Sequence, residues 1–174
     1  DDPRHRRLRS IVSAGFTPGR IRALEDSVQR IAGEVVVDLL ERGPCDFVTE
    51  VASRLPLQII CEMMGVPEEQ WSLVFEQSNT ILGGQDDEYR SDDVDFGAQL
   101  FLAAYQLTEL MQGLIAERVE QPTDDLTSAL VHAEVDGERL EHDEIASFFI
   151  LLLVAGNETT RNAISWGLHL LTEH

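Results

Sequence analysis

Apolar side chains recur at helical spacing along nearly the whole chain, and proline and glycine divide this pattern into separate segments. The sequence therefore predicts a mainly α fold with at most short strands. At 174 residues the chain is long enough for one domain with a real core and too short for two. Helices are predicted over residues 3–14, 18–42, 49–64, 67–82, 92–120, 124–134 and 144–174, and short strands over residues 46–48 and 138–140.

The last predicted helix is the longest and the most apolar. Asp143 is its expected N-cap, and apolar side chains on all sides of the helix through Val154 predict that it is buried as the central helix of the fold. Directly afterwards, residues 155–160 read Ala-Gly-Asn-Glu-Thr-Thr. A carboxylate and two hydroxyls are costly to bury without partners, so this stretch predicts a polar notch in an apolar wall.

Two interpretations of residues 155–160 stay open from the residues alone. In the first, Gly156 is a packing contact with a neighbouring helix, and Glu158 and Arg161 mark where the helix reaches the surface. In the second, the glycine opens a reaction site, Glu158 relays protons, and the hydroxyl of Thr159 donates a hydrogen bond to a bound oxygen species. A Thr in a helix also bonds back to the carbonyl one turn earlier, which loosens the helix locally. The oxygen chemistry needs a metal, for which the sequence encodes no ligand set.

A second candidate site is the basic first helix. His5 and Arg9 lie four residues apart and therefore share one face. The planar guanidinium of Arg binds carboxylates through two parallel hydrogen bonds, and a His donor beside it suits a ligand with two carboxylates. Arg4, Arg6 and Arg7 are expected to point elsewhere, toward solvent or an acidic partner. A basic helix is also typical of a solvated face, and this alternative stays open.

Charge is distributed unevenly along the chain. The formal net charge is −19, but residues 1–30 carry seven arginines against four acidic residues, a net of +3, which leaves −22 for the rest. The acidic total argues against nucleic acid as a partner, so a DNA-binding regulator built on the basic helix is disfavoured. The predicted surface is one basic patch on an acidic body.

Cys45 and Cys61 have no second Cys or His at metal spacing, so neither a zinc site nor a disulfide framework is indicated. Each is predicted to be a buried structural thiol. No signal peptide opens the chain, and the longest apolar run, residues 145–156, is too short to span a bilayer. We therefore expect a cytoplasmic protein without an integral membrane segment. We also expect a fragment at both ends, because the sequence begins without Met and stops inside a helical pattern.

The two polar motifs, in this order, resemble those of the cytochrome P-450 family over nearly the whole chain. Residues 1–9, Asp-Asp-Pro-Arg-His-Arg-Arg-Leu-Arg, and residues 15–18, Gly-Phe-Thr-Pro, are similar to the family's propionate-binding C helix and the turn after it. Residues 155–162 resemble the oxygen-binding groove of its I helix. Shorter resemblances, to the junction of the E and F helices and to the H-helix region, lie at residues 65–67, 124–126 and 136–138. The resemblance implies a partial cytochrome P-450 domain over residues 1–174, from helix C to helix I.

The resemblance further implies a haem-thiolate monooxygenase that inserts one oxygen atom of O2 into a C–H bond of a lipophilic substrate. Its cofactor would be haem b (iron protoporphyrin IX), and electrons from NAD(P)H would arrive through a ferredoxin reductase and a ferredoxin. An acidic ferredoxin would dock near the first helix, at Arg6 and Arg7. The metal ligand, a Cys, would lie outside this chain with the Glu-x-x-Arg pair, so the isolated fragment is expected to be inactive.

Site residues are carried over by position. Binding of the haem propionates would fall to His5 and Arg9. Ala155 and Gly156 would line the oxygen side of the haem, and Glu158 with Thr159 would form the catalytic acid–alcohol pair. The side chains expected to border the substrate are Leu151, Val154, Ala155 and Thr159.

Two further expectations concern substrate and access. Residues 144–150 and 155–164 are similar to the actinobacterial group of the family that acts on sterol side chains and methyl-branched lipids. The acidic stretch from Gly83 to Asp93 would be a lid that gates entry. The alternative from another class is a noncatalytic all-α lipid-binding or regulatory module, in which Glu158 and Thr159 only position the apolar helix.

Overall fold

A computed structural model describes residues 3–83 and 95–174. The mainly α prediction is confirmed: seven α-helices account for most of these residues. A π-helical turn at Val48–Ala52 precedes the third helix, and a 3-10 turn at Glu68–Gln70 precedes the fourth. The helices are α1 (Arg4–Gly15), α2 (Pro18–Arg42), α3 (Arg54–Met64), α4 (Trp71–Gly83), α5 (Phe96–Glu120), α6 (Leu126–His132) and α7 (His142–Glu173). The proposed lid after Gly83 lies outside the described residues.

Both predicted strands are wrong. At residues 46–48 the carboxylate of Asp46 accepts the backbone N–H of Thr49 at 2.8 Å, which starts a helical turn instead. At residues 138–140 the backbone forms only an isolated antiparallel bridge, between Val135 and Glu138, around the turn at residues 136–137. Both turn residues have positive φ, 55° and 80°, which is the geometry of a tight two-residue reversal. Among the described residues this bridge is isolated, so residues 138–140 do not form a strand.

Local chemistry sets the beginnings of the long helices. Thr17 caps α2 by accepting the N–H of Arg20 at 3.2 Å, and a proline follows at the first helical position. The predicted N-cap of α7 is displaced by two residues, from Asp143 to Glu141. Glu144 explains the difference, because its carboxylate accepts the N–H of Glu141 at 3.0 Å and completes a capping box.

The core forms where α7 packs against α5 and α3, with α4 and α6 closing the sides. A single face of α7 enters the core, because its buried residues follow one another at helical spacing: Ile145, Ala146, Phe149, Leu153 and Asn157. The largest fully buried side chains on the three central helices are Met64, Leu107, Met111, Ile115, Ile145, Phe149 and Leu153.

A buried ion pair joins the end of α3 to α5 and α6. The Nε of Arg118 donates to Asp125 Oδ2 at 2.6 Å, and Nη2 donates to the carbonyl oxygen of Gly65 at 3.2 Å. Both charged side chains are 9% exposed. Gly65 has φ of +74°, and a Cβ there would lie 2.1 Å from Asp125 Oδ2. Only a glycine therefore fits where α3 meets this pair.

Candidate functional site

The predicted site residues of α7 gather on one exposed face. Leu151, Ala155, Glu158 and Thr159 are all exposed, and their spacing of three and four residues places them along a single stripe of the helix. Leu151 is 62% exposed, so the expectation of burial on all sides is wrong. In the part of the chain that the structure describes, the neighbouring helices cover only the opposite face of α7.

Gly156 does not lie on this stripe but against α3. A Cβ added there would be 3.1 Å from Ile60 Cδ1, closer than most side-chain contacts. The absence of a side chain thus lets α7 approach α3, which is the packing role that the sequence left open. Val154, predicted to border the substrate, is half-buried.

The hydroxyl of Thr159 bonds back along the helix. Its Oγ1 donates to the carbonyl oxygen of Ala155 at 2.8 Å, as the sequence predicted. The hydroxyl oxygen keeps its acceptor capacity. Glu158 is exposed and has no hydrogen-bond or ion-pair partner among the described residues. The burial expected of this carboxylate is therefore missing from the described structure, while the juxtaposition of acid and alcohol is present.

On α1 the two predicted propionate ligands are open to solvent. His5 and Arg9 are exposed, and within residues 3–83 and 95–174 neither has a hydrogen-bond or ion-pair partner. A pair of carboxylates requires hydrogen-bond donors, preferably cationic ones, that lie on one face. His5 and Arg9 meet this requirement, since no described residue engages them. The residues present on α1 therefore fit haem propionates.

The expectation that Arg7 points toward solvent or an acidic partner protein is wrong. Its guanidinium lies 2.6 Å from Glu138 Oε2 and 3.0 Å from Glu144 Oε1, so its acidic partners belong to the same chain. Arg4, by contrast, is 77% exposed, with one long contact of 3.9 Å to Glu144. Reversal of charge at Arg7 would break an internal contact, and the residue is no test of partner docking.

Sequence analysis missed Asn157. The side chain is fully buried, and neither its amide nitrogen nor its amide oxygen has a partner in the described residues. Asn157 follows Phe149 and Leu153 at intervals of four, so the helical spacing already places it on the buried face of α7. The polar type at a core position is the signal that could have identified it.

The two cysteines differ in burial. Cys61 is buried as predicted, and burial raises the pKa of its thiol to about 12, which makes it an inert packing group. Cys45 is exposed, contrary to prediction, because it follows the turn that ends α2 and lies on the loop before the π-helical turn. Within the described ranges no three His, Cys, Asp or Glu side chains come together as a metal site, and no helix is long and apolar enough to cross a membrane.

Sequence and structure comparisons converge on one family. A family model described as cytochrome P-450 matches residues 1–174. The chain belongs to the cytochrome P-450 family. It is 46% identical to a methyl-branched lipid omega-hydroxylase of Mycobacterium tuberculosis, over 100% of this chain and 40% of that protein. It is 41% identical to a steroid C26-monooxygenase of Rhodococcus jostii, over 100% of this chain and 36% of that protein.

Solved cytochrome P-450 structures share the fold. A Mycobacterium marinum enzyme in complex with pseudoionone superposes with a TM-score of 0.89 at 42% identity, over 99% of this chain and 42% of that one. A Bacillus megaterium enzyme in complex with corticosterone gives 0.88 at 31% identity, over 99% and 46%. The chain thus spans about two fifths of the length of the cytochrome P-450 proteins it matches.

Proposed function

We propose that the intact protein is a haem-thiolate monooxygenase that hydroxylates a lipophilic substrate. The observation that carries the proposal is the exposed stripe of α7, where a small residue, a carboxylate and an alcohol stand together at Ala155, Glu158 and Thr159. The unpartnered donors of α1 at His5 and Arg9 support it, because they suit the two propionates of haem b.

A bound haem would supply the chemistry that activates O2. The residues of this chain would bind the haem and handle protons. Ala155 would leave room for the haem and for O2, because its side chain is a single methyl group. Gly156 lets the α7 backbone pack closely on α3. We propose that it also lines the oxygen side of the haem.

Glu158 and Thr159 would move protons to the reacting oxygen. The Thr159 hydroxyl already donates to the Ala155 carbonyl at 2.8 Å, so its oxygen faces outward as an acceptor. A proton from Glu158 would be accepted at the Thr159 oxygen while the hydroxyl turns its own proton from the Ala155 carbonyl to the reacting oxygen, a rotation of the side-chain hydroxyl that leaves the helix in place. Exposure of Glu158 in the described structure keeps it accessible to the solvent that must resupply the proton.

We propose that the substrate is a methyl-branched lipid or a steroid side chain. The two relatives named above act on these classes, and Leu151 with half-buried Val154 offers an aliphatic border beside Ala155 and Thr159. An apolar wall of this kind holds a branched alkyl chain by burial rather than by hydrogen bonds, which suits oxidation at an unactivated carbon.

We further propose a cytoplasmic enzyme that takes electrons from NAD(P)H through a ferredoxin reductase and a ferredoxin. The exposed arginines of α1 would attract an acidic ferredoxin, in contrast to the acidic remainder of the chain. Charge reversal at Arg4, which is 77% exposed, is expected to slow reduction by the ferredoxin and to weaken its dependence on salt. Unchanged reduction kinetics would contradict docking on this face.

The decisive experiment uses the full-length protein. It is expected to take up haem, to give a thiolate-type difference spectrum with carbon monoxide after reduction, and to oxidise a methyl-branched fatty acid or a cholestane-type steroid. Thr159→Ala is expected to release more hydrogen peroxide per reductant consumed, while reductant use itself continues. Absence of the thiolate spectrum would overturn the proposal.

The neighbouring hydroxyl supplies a matched control. Thr160 is also exposed but lies one step around the helix from Thr159. Thr160→Ala is expected to keep peroxide release at the wild-type level. If Thr159→Ala changed only the affinity for the lipid and not the yield of product, the noncatalytic binding module would be the better account.

A further inference from the structure

Within the described residues, the beginning of α1 has little local stabilisation of its own. Pro3, at the N-cap position, has helical backbone angles and no side-chain cap, and no acidic residue lies in the first turn. Arginines instead place positive charge at the positive end of the helix dipole, which is unfavourable. A helix of 12 residues is also close to the length at which isolated helices are marginal in water. Contacts with the rest of the protein must therefore hold α1 in place.

Arg7 makes such a contact with the segment that leads into α7. Its Nη1 donates to both carboxylate oxygens of Glu144, at 3.0 and 3.1 Å, and its Nε lies 2.6 Å from Glu138 Oε2. Nη2 donates to the carbonyl oxygen of Arg139 at 2.5 Å. The planar guanidinium thus has an acceptor on each of its three nitrogens, which a lysine ammonium could not match in geometry.

The acceptors are themselves fixed. Glu144 also accepts the N–H of Glu141 at 3.0 Å as part of the capping box of α7, and its side chain is only 15% exposed. Glu138 exchanges two backbone hydrogen bonds with Val135, each of 3.0 Å. Arg7 therefore ties α1 to a rigid point at the start of α7 and not to a freely moving side chain.

The two proposed propionate ligands lie on the other side of α1. Arg7 shares the packed face with Ile11, which is four residues later and 1% exposed. His5 and Arg9 are each two residues from Arg7, and a step of two residues turns an α-helix by about 200°. One face of α1 is thus anchored, and the opposite face presents the haem-binding donors.

We propose that Arg7 is a positioning residue that fixes α1 against the start of α7 and so sets where His5 and Arg9 meet the haem propionates. The proposal rests on the haem-binding function proposed above. The position of α1 can nevertheless be measured without haem, so the two can fail separately.

The test uses Arg7→Gln in the full-length protein. Hydrogen–deuterium exchange at residues 4–10 is expected to become at least about tenfold faster, which corresponds to about 1.4 kcal/mol of lost local protection. In the haem-loaded protein, the propionate-bending bands of the resonance Raman spectrum are expected to shift, and haem transfer to apomyoglobin is expected to speed up. Arg7→Lys keeps the charge without the fork, and is expected to restore these readouts in part.

Arg118→Gln is the matched control. It removes an arginine that is likewise engaged by carboxylates, but at the junction of α3, α5 and α6. A lower melting temperature with unchanged propionate bands is expected, which separates a general loss of stability from a displaced α1. Equal band shifts in Arg7→Gln and Arg118→Gln would overturn the positioning role.

A double-mutant cycle of Arg7→Gln and Glu144→Gln completes the test. Because the two side chains interact directly, the double substitution is expected to change the exchange rate at residues 4–10 by less than the sum of the two single effects. Additive effects, or exchange that Arg7→Gln leaves unchanged, would contradict the proposal. If the full-length protein took up no haem, the proposed function and the propionate step would both be wrong, whereas the exchange would still decide whether Arg7 holds α1.

Discussion

At Asn157 a side-chain amide is fully enclosed on the core face of α7, and its nitrogen and oxygen have no partner in the described residues. An unpaired buried amide costs about 1–3 kcal/mol. This cost is part of the packing of α7 against its neighbours.

Asn157→Leu is expected to raise the free energy of unfolding, by up to about 1–3 kcal/mol, because it removes the unpaired polar groups and keeps a similarly branched shape. Denaturant unfolding measures the change. Asn162→Leu, at an exposed position of the same helix, is the control and is expected to stay within about 0.5 kcal/mol of wild type. A loss of stability in Asn157→Leu would show that the amide is paired, to water or protein.

Gly65→Ala is expected to be among the most destabilising single substitutions in the chain. A Cβ there would lie 2.1 Å from Asp125 Oδ2, so the buried pair with Arg118 must break, at about 3–5 kcal/mol. Gly137→Ala is the control, because its φ of +80° is similar but nothing lies within 4 Å of the added atom. Its cost is expected to be only the backbone strain of about 1–2 kcal/mol. Denaturant unfolding measures both variants. A similar loss of unfolding free energy in both would argue that the contact of the added Cβ with Asp125 relaxes without breaking the ion pair.

At the scale of elements, the carboxylate of Glu144 both anchors α1 through Arg7 and caps the start of α7. Burial acts to raise the pKa of Glu144, but hydrogen bonds from Arg7 and from the N–H of Glu141 outweigh it and lower the pKa from its ordinary value of 4.5. A group whose pKa is lowered by folding adds stability above its unfolded pKa, and this stability is lost as the pH falls through the folded value.

Glu144→Gln is accordingly expected to lower the free energy of unfolding at neutral pH and down to about pH 5. The difference in unfolding free energy between the variant and wild type is expected to shrink as the pH falls below about 4.5. Unfolding curves over pH 3–7 measure it. Glu50→Gln removes an exposed ion pair with Arg42 and is expected to change stability by less than about 1 kcal/mol at any of these pH values. A difference for Glu144→Gln that grew on acidification would contradict the assignment.

The helices themselves were largely predictable, and two of the errors share a cause. Helical periodicity found all seven, since each buries one face at 3.6-residue spacing. The strand predicted at residues 46–48 was wrong because an Asp46 side chain captures a backbone N–H, a local bond that hydrophobic periodicity does not register. The N-cap of α7 moved from Asp143 to Glu141 for the same kind of reason.

At the scale of the whole molecule, charge opposes compactness. The net charge of −19 is a source of self-repulsion, while most ion pairs of the described residues are partly exposed and contribute little. Raising NaCl from about 0.05 to 0.5 M is therefore expected to raise the melting temperature, since the Debye length falls several-fold. Sucrose at matched osmolality is the control for nonspecific exclusion. A melting temperature that fell with salt would show that specific ion pairs outweigh the net repulsion.

The sequence by itself determined the helical class, the helix boundaries to within a few residues, the family resemblance and the candidate residues on α1 and α7, because periodicity and motifs are local properties of the chain. Tertiary structure alone decided which candidates are covered by neighbouring helices and which stay exposed. Among the described residues it left the stripe of Leu151, Ala155, Glu158 and Thr159 uncovered and turned Arg7 inward to Glu138 and Glu144. The contacts of Arg7 join residues more than a hundred positions apart, and the opposite face of α7 is covered by α3 and α5. Burial and ion pairing between such separate segments are set by packing rather than by spacing.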